Sequence, residues 1–257
     1  MVLTALIYAW LLILLIELLR SPDMTNLSEW EEKAAKNNFH YDAVLYVEVV
    51  LHILLFIIHC FLGSMQTIGL PFTTVIARIA TMGLLCSTFG INVAHELGHR
   101  QKKYEQALAK IALLTSLYMH FFIEHNQGHH KWVATPNDLS SAPLHLSVYG
   151  FWVRSVTGTY QNAWRIANKS IQQQGLLVMH YRNEMMQMQF IQIIWMAGIW
   201  YWMGWLITCY YIAAAVIGFL LLETVNYIEH YGLQRKNWLM INMNESCPGI
   251  VGTATML

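Results

Sequence analysis

The sequence predicts an all-α protein, an integral membrane helical bundle with a cluster of histidines at one end. Its 257 residues are 56% hydrophobic and only 12% charged, with a mean hydropathy of +0.39, whereas soluble domains carry about 25% charged residues. Several apolar runs reach the roughly 20 residues that a helix needs to cross a bilayer. Two pairs of histidines recur at a four-residue spacing, which places each pair on one helix face.

The apolar runs predict about five membrane spans and one shorter helix. The predicted spans are residues 2–19, 43–62, 68–93, 186–205 and 206–228, the last two separated near Gly204. Glu17 and Arg20, and not a small-residue cleavage site, follow the first run, so it is interpreted as a span and not as a signal peptide. The formal net charge is zero, which indicates no nucleic-acid partner.

The histidines that carry the chemistry lie in two boxes and one further position. His95 and His99 form the first box, His125, His129 and His130 form the second, and His230 follows the last predicted span. Imidazole suits iron, zinc and copper, so all six are predicted metal ligands. A lone histidine is usually a hydrogen-bonded polar residue, which is the interpretation of His40, His52, His59, His120, His145 and His180.

The two boxes can share a site only if a sixth apolar run, residues 107–123, does not cross the bilayer. A crossing would place His125 a bilayer away from His95. The run is therefore predicted to be a re-entrant or interfacial helix. Counting spans back from the site puts residue 1 on the outside, which suggests that one span is missing upstream.

The placement of Lys and Arg predicts the orientation. If residues 21–42, 95–183 and those after His230 face the cytoplasm, 14 of the 15 basic residues lie in or next to cytoplasmic segments. This is the positive-inside pattern, and it predicts that the histidine site faces the cytoplasm. The exception is Arg78 in the third span, where a charge is costly unless it faces protein or water. We expect Arg78 to be buried against a polar partner.

Four carboxylates adjoin the predicted ligands. Glu96, Glu124 and Glu229 each neighbour a histidine, and Asp138 follows the second box. None is spaced to bridge two metal ions as in soluble di-iron bundles. Their predicted role is to accept the second ring N–H of a ligand histidine and so fix its tautomer. The four cysteines form no CxxC pair, so no disulfide or zinc–cysteine site is predicted.

Other functions fit parts of this pattern. His95-Glu-Leu-Gly-His99 matches the H-E-x-x-H motif of zinc metalloproteases, but that motif leaves the second box and His230 unexplained. A histidine-lined metal transporter would need ligands near the bilayer midplane, whereas these lie at helix ends. A metal-poor membrane protein without a catalytic role is a further alternative, and an iron count on the purified protein would reveal it.

Three strings make the chain resemble the membrane-bound non-haem di-iron alkane 1-monooxygenases, within the fatty acid desaturase and hydroxylase superfamily. They are AHELGHR (94–100), FFIEHNQGHHKWVATPND (121–138) and NYIEHYGL (226–233), and the resemblance runs from about residue 8 to residue 235. The last string is specific to this family.

The resemblance implies that the six histidines bind two non-haem iron ions in a bacterial inner membrane. It also implies terminal hydroxylation of medium-chain alkanes by O2, with electrons from rubredoxin and its NADH-linked reductase. The alkane would enter from the bilayer. Related hydroxylases of aromatic methyl groups or fatty acyl chains are the nearest alternatives, and a product assay would distinguish them.

The chain departs from this family after residue 235. Residues 1–235 are predicted to form the membrane monooxygenase domain, whereas residues 236–257 lack the family's WHSWNSNH segment and third histidine box, LQRHSDHH. Codons chosen within the degeneracy for residues 242–257, reread in a shifted frame, translate as YERVLPWHSWNSNHA. We therefore interpret the tail as a frameshift product or a sequencing error, which resequencing of the parent DNA would test. The printed chain is expected to bind iron incompletely and to have little or no activity.

Overall fold

The computed structural model describes residues 7–20, 28, 30–31, 38–66 and 70–233. The start of the first predicted span and the tail 236–257 lie outside these ranges, so the domain boundary at residue 235 stays a prediction. Within the described ranges the chain forms helices and turns and no strand. The all-α class is thereby confirmed.

The helices are numbered α1 to α9, with three π-helical segments between or before them. They are α1 (Ile13–Leu19, preceded by π-helical Tyr8–Leu12), α2 (Phe39–Gln66), α3 (Phe72–Leu85), π-helical Cys86–Ile91, α4 (Asn92–Gly98), α5 (Lys103–Leu114), α6 (Phe121–Glu124), π-helical His125–His129, α7 (His130–Trp132), α8 (Val148–Gln173) and α9 (Glu184–His230).

By length and composition, three helical stretches of the described chain could cross a membrane: Phe39–Gly63, Phe72–Gly98 and Glu184–His230. They contain or overlap four of the five predicted spans. Apolar side chains such as those of Val47, Leu54 and Trp202 remain exposed on their outer faces, as a lipid-facing surface requires. The first predicted span stays a prediction, since its described part is short.

The helix α9 consists of two arms that fold back on each other at Gly204. This residue has φ 83° and ψ 167°, a backbone conformation that favours glycine. The indole N–H of Trp195 donates to the hydroxyl of Tyr211 across 3.2 Å, although a straight helix would separate the two by about 24 Å. The predicted break near Gly204 is therefore confirmed.

The sixth apolar run forms a re-entrant hairpin that stays within the bundle. Helix α5 runs from the histidine end towards the middle of the bundle. Just after its last residue, Oγ1 of Thr115 lies 2.9 Å from Nε2 of His52, which is midway along α2. The chain then turns, with Leu117 at a φ of 53°, and climbs back through α6. A return within the bundle is what the predicted re-entrant helix requires, and its place in a bilayer stays a prediction; the helix itself ends at Leu114 and does not continue to Ile123.

Side chains of neighbouring helices bind the backbone of this turn, which lies at membrane depth. The Tyr211 hydroxyl donates to the Leu114 carbonyl at 2.8 Å, and the Met119 amide donates to the side chain of Gln192 at 3.2 Å. Irregular backbone is tolerated at this depth only where protein or water satisfies it. Helix α5 can therefore stop inside the bundle and return the second histidine box to the end that holds the first.

Helix α8 covers the histidine end of the bundle with one face. Its buried residues recur every fourth position and are mostly small: Phe151, Ser155, Thr159, Ala163, Ala167 and Ile171. This spacing is that of one helix face. Ser147 begins the helix, since its hydroxyl accepts a hydrogen bond from the Gly150 amide at 3.2 Å.

Candidate metal centre

The first histidine box lies where the run of helix that begins at Phe72 ends. His95 is in α4 and His99 follows its last residue, and their ring centroids are 4.8 Å apart. The π-helical turns before α4 are a departure from the regular helix that is frequent at functional sites. Arg100 holds this end in place, because its guanidinium lies 3.0 Å from the carboxylate of Asp42 at the start of α2.

The re-entrant hairpin places the second box against the first. Nε2 of His130 lies 3.0 Å from Nε2 of His125 and 3.2 Å from Nε2 of His99. One ring nitrogen from each of His95, His99, His125 and His130 lies within 4.8 Å of the others. Bonds of about 2.0–2.1 Å to one ion would place such nitrogens about 3.4 Å apart in a tetrahedron and at most about 4.2 Å apart, so the more distant rings would have to move closer to bind a common ion. We call these residues the four-histidine cluster, and their donor set fits a transition-metal ion.

The two remaining predicted ligands form a second group, the His129–His230 pair. Their ring centroids are 5.0 Å apart and their planes are perpendicular. Nδ1 of His129 lies 3.0 and 3.1 Å from the two oxygens of Asp138, and Nδ1 of His230 lies 3.0 Å from the Asn226 carbonyl oxygen. These acceptors place the proton on Nδ1 and leave each Nε2 lone pair available for a metal.

The pair adjoins the cluster directly. The rings of His125 and His129 stack at a centroid distance of 5.2 Å. The structure therefore brings all six predicted ligand histidines together at one end of the bundle, although they come from three segments of the chain. That they bind metal remains a prediction.

Burial sets the protonation of these imidazoles. It lowers the pKa of His125 far below its usual range, and the neighbouring histidines lower it further. Burial also lowers the pKa of His99 and of His130. Neutral imidazole is the form that binds metal, so the cluster is ready to bind at neutral pH.

Asp138 changes the pKa of His129 in the direction opposite to that of the cluster histidines. Burial alone would lower the pKa of His129, but the hydrogen bond and the charge of Asp138 outweigh it and raise that pKa. Burial would likewise raise the pKa of Asp138, but His129 outweighs it and the pKa is lowered. The Ser141 hydroxyl and the Ser140 amide also donate to this carboxylate. Asp138 therefore has the supporting contact that was predicted for it.

The other three predicted carboxylates differ from one another. Glu96 is exposed and its carboxylate lies 3.0 Å from the Arg100 guanidinium. Glu229 is exposed. Glu124 is buried and accepts a hydrogen bond from Asn162 at 3.2 Å, and burial raises its pKa to about 7. A hydrogen bond to a neighbouring histidine was predicted for each of these glutamates. The hydrogen bonds that the structure shows for Glu96 and Glu124 are instead to Arg100 and Asn162.

Gly128 is required inside the second box because Glu124 lies so close to it. A Cβ at this position would lie 2.6 Å from Oε1 of Glu124 and 2.8 Å from Nδ2 of Asn162. Any side chain would displace the carboxylate or the amide. Gly128 thus allows close packing, because the absence of a side chain lets the π-helical segment lie against α8.

Sequence reasoning missed a buried network beneath the pair. Glu223 is only 1% exposed, and it accepts hydrogen bonds from Tyr118 at 2.8 Å and from the Ser155 hydroxyl. Asn226, whose carbonyl anchors His230, donates to the same carboxylate at 3.4 Å. An acidic residue within an apolar span was the signal available in the sequence, since such residues are costly and usually functional.

Two of the lone histidines have a buried ring nitrogen without a hydrogen-bond partner. His52 contacts Thr115, but its Nδ1 is buried without a partner, as is Nε2 of His120. At the surface, His180 accepts a hydrogen bond from the Arg182 amide at 3.2 Å, as expected for a lone histidine.

The known proteins that the chain resembles belong to one family of enzymes. The profile of the fatty acid desaturase family matches residues 70–254. Alkane 1-monooxygenase 1 of Alcanivorax borkumensis is 31% identical over 225 residues, which is 88% of this chain and 55% of that protein. Alkane 1-monooxygenase 2 of Pseudomonas aeruginosa is 36% identical over 158 residues, 62% of this chain and 42% of that protein.

A more distant relative has another substrate in its name. The xylene/toluene monooxygenase hydroxylase component of Pseudomonas putida is 24% identical over 157 residues, 61% of this chain and 42% of that protein. The chain thus spans about half the length of the curated relatives that it matches.

Proposed function

Because the chain belongs to the fatty acid desaturase family, we propose that it is an alkane 1-monooxygenase, which hydroxylates the terminal carbon of medium-chain n-alkanes. The observation that carries the proposal is the convergence of six histidines at one end of an apolar helical bundle. The similarity to two curated alkane 1-monooxygenases, at 31% and 36% identity, supports this substrate class. The aromatic-methyl alternative has the weaker support of a 24% identical relative.

The histidines would hold two non-haem iron ions. His95, His99, His125 and His130 would hold one ion, and the His129–His230 pair would contribute to the second. Bound iron supplies the activation of O2. One oxygen atom then enters the terminal C–H bond, and the other leaves as water after two electrons and two protons have been taken up. Asp138 and the Asn226 carbonyl orient the rings of the pair for this role.

The bundle itself would bind and orient the alkane. An apolar substrate can leave the bilayer between the helices, whose exposed faces are apolar. Within the bundle it loses rotational freedom, and the terminal methyl group is held near the histidine end. No polar side chain is needed to recognise an alkane. The shape and depth of the space between the helices would therefore select the length of the alkane.

Electrons would come from rubredoxin, reduced by its NADH-linked reductase, at the cytoplasmic face of a bacterial inner membrane. The distribution of Lys and Arg supports this orientation. Lys102, Lys103 and Lys131 are exposed close to the boxes, and such charges raise the rate at which an acidic soluble partner associates.

Whole-cell conversion of octane to 1-octanol tests the proposal. Escherichia coli cells that contain rubredoxin and its reductase would express either the printed chain or the chain with its reading frame restored from the resequenced parent DNA. We expect 1-octanol from the restored chain and little or none from the printed chain. A restored chain that oxidises p-xylene but not octane would contradict the proposal, as would one that leaves both unchanged while fully loaded with iron.

A further inference from the structure

The segment NYIEHYGL (226–233) contains more polar groups than its one predicted ligand, His230, would require. Three of its residues contact the loop 139–147, which joins Asp138 to α8. The contacts are hydrogen bonds from the Tyr227 hydroxyl to the Leu146 carbonyl at 2.8 Å, from the His145 amide to the Tyr231 hydroxyl at 3.1 Å, and from the Gly232 amide to the Ala142 carbonyl at 2.8 Å. We call Tyr227, Tyr231 and Gly232 the clasp.

The end of α9 is shaped for these contacts. Tyr227 and Tyr231 are four residues apart and so lie on one helix face, with ring centroids 5.0 Å apart. Gly232 then turns the backbone towards the loop at a φ of 68°, a conformation that favours glycine. A Cβ on Gly232 would lie only 3.2 Å from Cδ1 of Leu144 in the loop, so a side chain there would crowd the loop.

The backbone of the loop has an unusual conformation at His145. Its φ is 68°, which is uncommon for a residue other than glycine and persists only where the surrounding structure imposes it. The amide of this same residue donates to the Tyr231 hydroxyl. The His145 side chain is exposed, so what the clasp holds here is the course of the loop and not an imidazole.

The loop connects the clasp to the metal site through Asp138. Ala142, which accepts from the clasp, directly follows Ser141, whose hydroxyl donates to the Asp138 carboxylate. The Ser140 amide donates to the same carboxylate at 3.0 Å. That carboxylate in turn accepts from Nδ1 of His129 at 3.0 Å. The segment that carries one histidine of the pair therefore also holds the loop whose carboxylate orients the other.

We propose that the clasp positions His129, because it holds the loop that presents Asp138 to that histidine. One short segment thereby orients both histidines of the pair, since the Asn226 carbonyl fixes His230 directly. Arg154 of α8 also donates to the Asp138 carbonyl, at 3.2 Å, so loss of the clasp loosens the carboxylate without freeing it. The inference rests on the proposed metal site at the pair and not on the identity of the substrate.

A double-mutant cycle on iron affinity tests the proposal. The purified full chain and its variants are titrated with iron(II), without oxygen, in competition with a chelator. Tyr227→Phe combined with Tyr231→Phe should lower the affinity for the more weakly held ion about tenfold, the lower end of the range for residues that orient a ligand. In chains that carry Asp138→Ala, the same two substitutions should change it less than about twofold, because the contact through which they act is already absent.

A purely structural role of the two tyrosines would give a different result. The affinity would then fall by the same factor with and without Asp138, and this outcome would overturn the proposal. Tyr211→Phe is the matched control, since it removes another hydroxyl of α9 that donates to a backbone carbonyl at 2.8 Å, that of Leu114. It should lower the unfolding temperature as the clasp variants do, and leave the iron affinity unchanged.

Amide hydrogen exchange of the iron-free chain provides a readout that needs no metal. Tyr231→Phe should make exchange in the loop 139–147 about two- to tenfold faster, the effect of one lost hydrogen bond, and Tyr211→Phe should not. Unchanged exchange in the loop would overturn the proposal. A wild-type chain that binds a single iron ion would contradict the proposed metal site at the pair, and the exchange would then decide alone whether the clasp holds the loop.

Discussion

The four-histidine cluster and the His129–His230 pair lie side by side but are supported in different ways. In the cluster the ring nitrogens face one another, and Nε2 of His130 lies 3.0 Å from that of His125. In the pair each Nδ1 has an acceptor behind it, a carboxylate for His129 and a carbonyl for His230. The converging ring nitrogens of the cluster are arranged as they would be around a metal ion, whereas acceptors of the protein itself orient the rings of the pair.

The comparison makes the cluster the more sensitive of the two to loss of a ligand. His125→Ala removes the ring that contacts the largest number of its fellow histidines, His95, His99, His129 and His130. Loss of a residue that only supports a ligand lowers metal affinity about 10–100-fold, and loss of a ligand should lower it further. We therefore expect the bound iron to fall to about a tenth or less of the wild-type content.

Metal analysis of purified chains would measure this loss. His180→Ala, which removes a surface histidine, is the control and should keep the wild-type iron content. An iron content unchanged by His125→Ala would show that the cluster does not bind the metal.

Asp138→Asn tests the support of the pair. The amide keeps an oxygen that can accept from Nδ1 of His129 but loses the charge that holds the imidazole. We expect iron affinity, measured by competition with a chelator, to fall about 10–100-fold, with most of the change in the more weakly held fraction. The exposed Glu229→Gln serves as the comparison and should change the affinity little. If the two variants behaved alike, the contact between Asp138 and His129 would have no role in metal binding.

Glu223→Leu tests whether the buried network stabilises the bundle beneath the pair. The leucine would leave the hydroxyls of Tyr118 and Ser155 without their acceptor. Each unsatisfied buried group costs about 1–3 kcal/mol, so we expect a loss of stability of at least about 2 kcal/mol. Thermal or denaturant unfolding in detergent would measure it. Glu223→Gln keeps an acceptor oxygen and should lose less; a leucine variant as stable as the wild type would contradict this assignment.

Glu96→Gln should have the smallest effect, although Glu96 lies inside the first box. Its partner Arg100 keeps the contact with Asp42 at 3.0 Å, and the pair of Glu96 with Arg100 is exposed. Exposed ion pairs contribute about 0–1 kcal/mol. We expect an unfolding temperature and an iron content close to those of the wild type. A loss of iron comparable to that of Asp138→Asn would instead mean that Glu96 contacts the metal site.

Much of this site could be predicted from the chain because its signals are local. The four-residue spacing places His95 and His99 on one helix face, and the length of the apolar runs indicates which segments cross the bilayer. The need to join both boxes predicted that residues 107–123 do not cross. The end of α5 at Leu114 could not be predicted, because Tyr211 and Gln192, distant in sequence, bind the backbone of the turn.

The sequence by itself determined the all-α membrane class, the break at Gly204 and the identity of the six candidate ligands, since spacing and hydropathy are properties of short segments. Only the tertiary structure decided how these ligands group, four in a cluster and two in a pair, because His230 reaches His129 through the fold of α9. It also decided which acids support them. Glu223 is buried and accepts from Tyr118 and Ser155 of distant segments, and Asp138 is buried against His129 and the serines that follow it, whereas Glu96 and Glu229 face outward. Burial depends on packing that spacing does not encode.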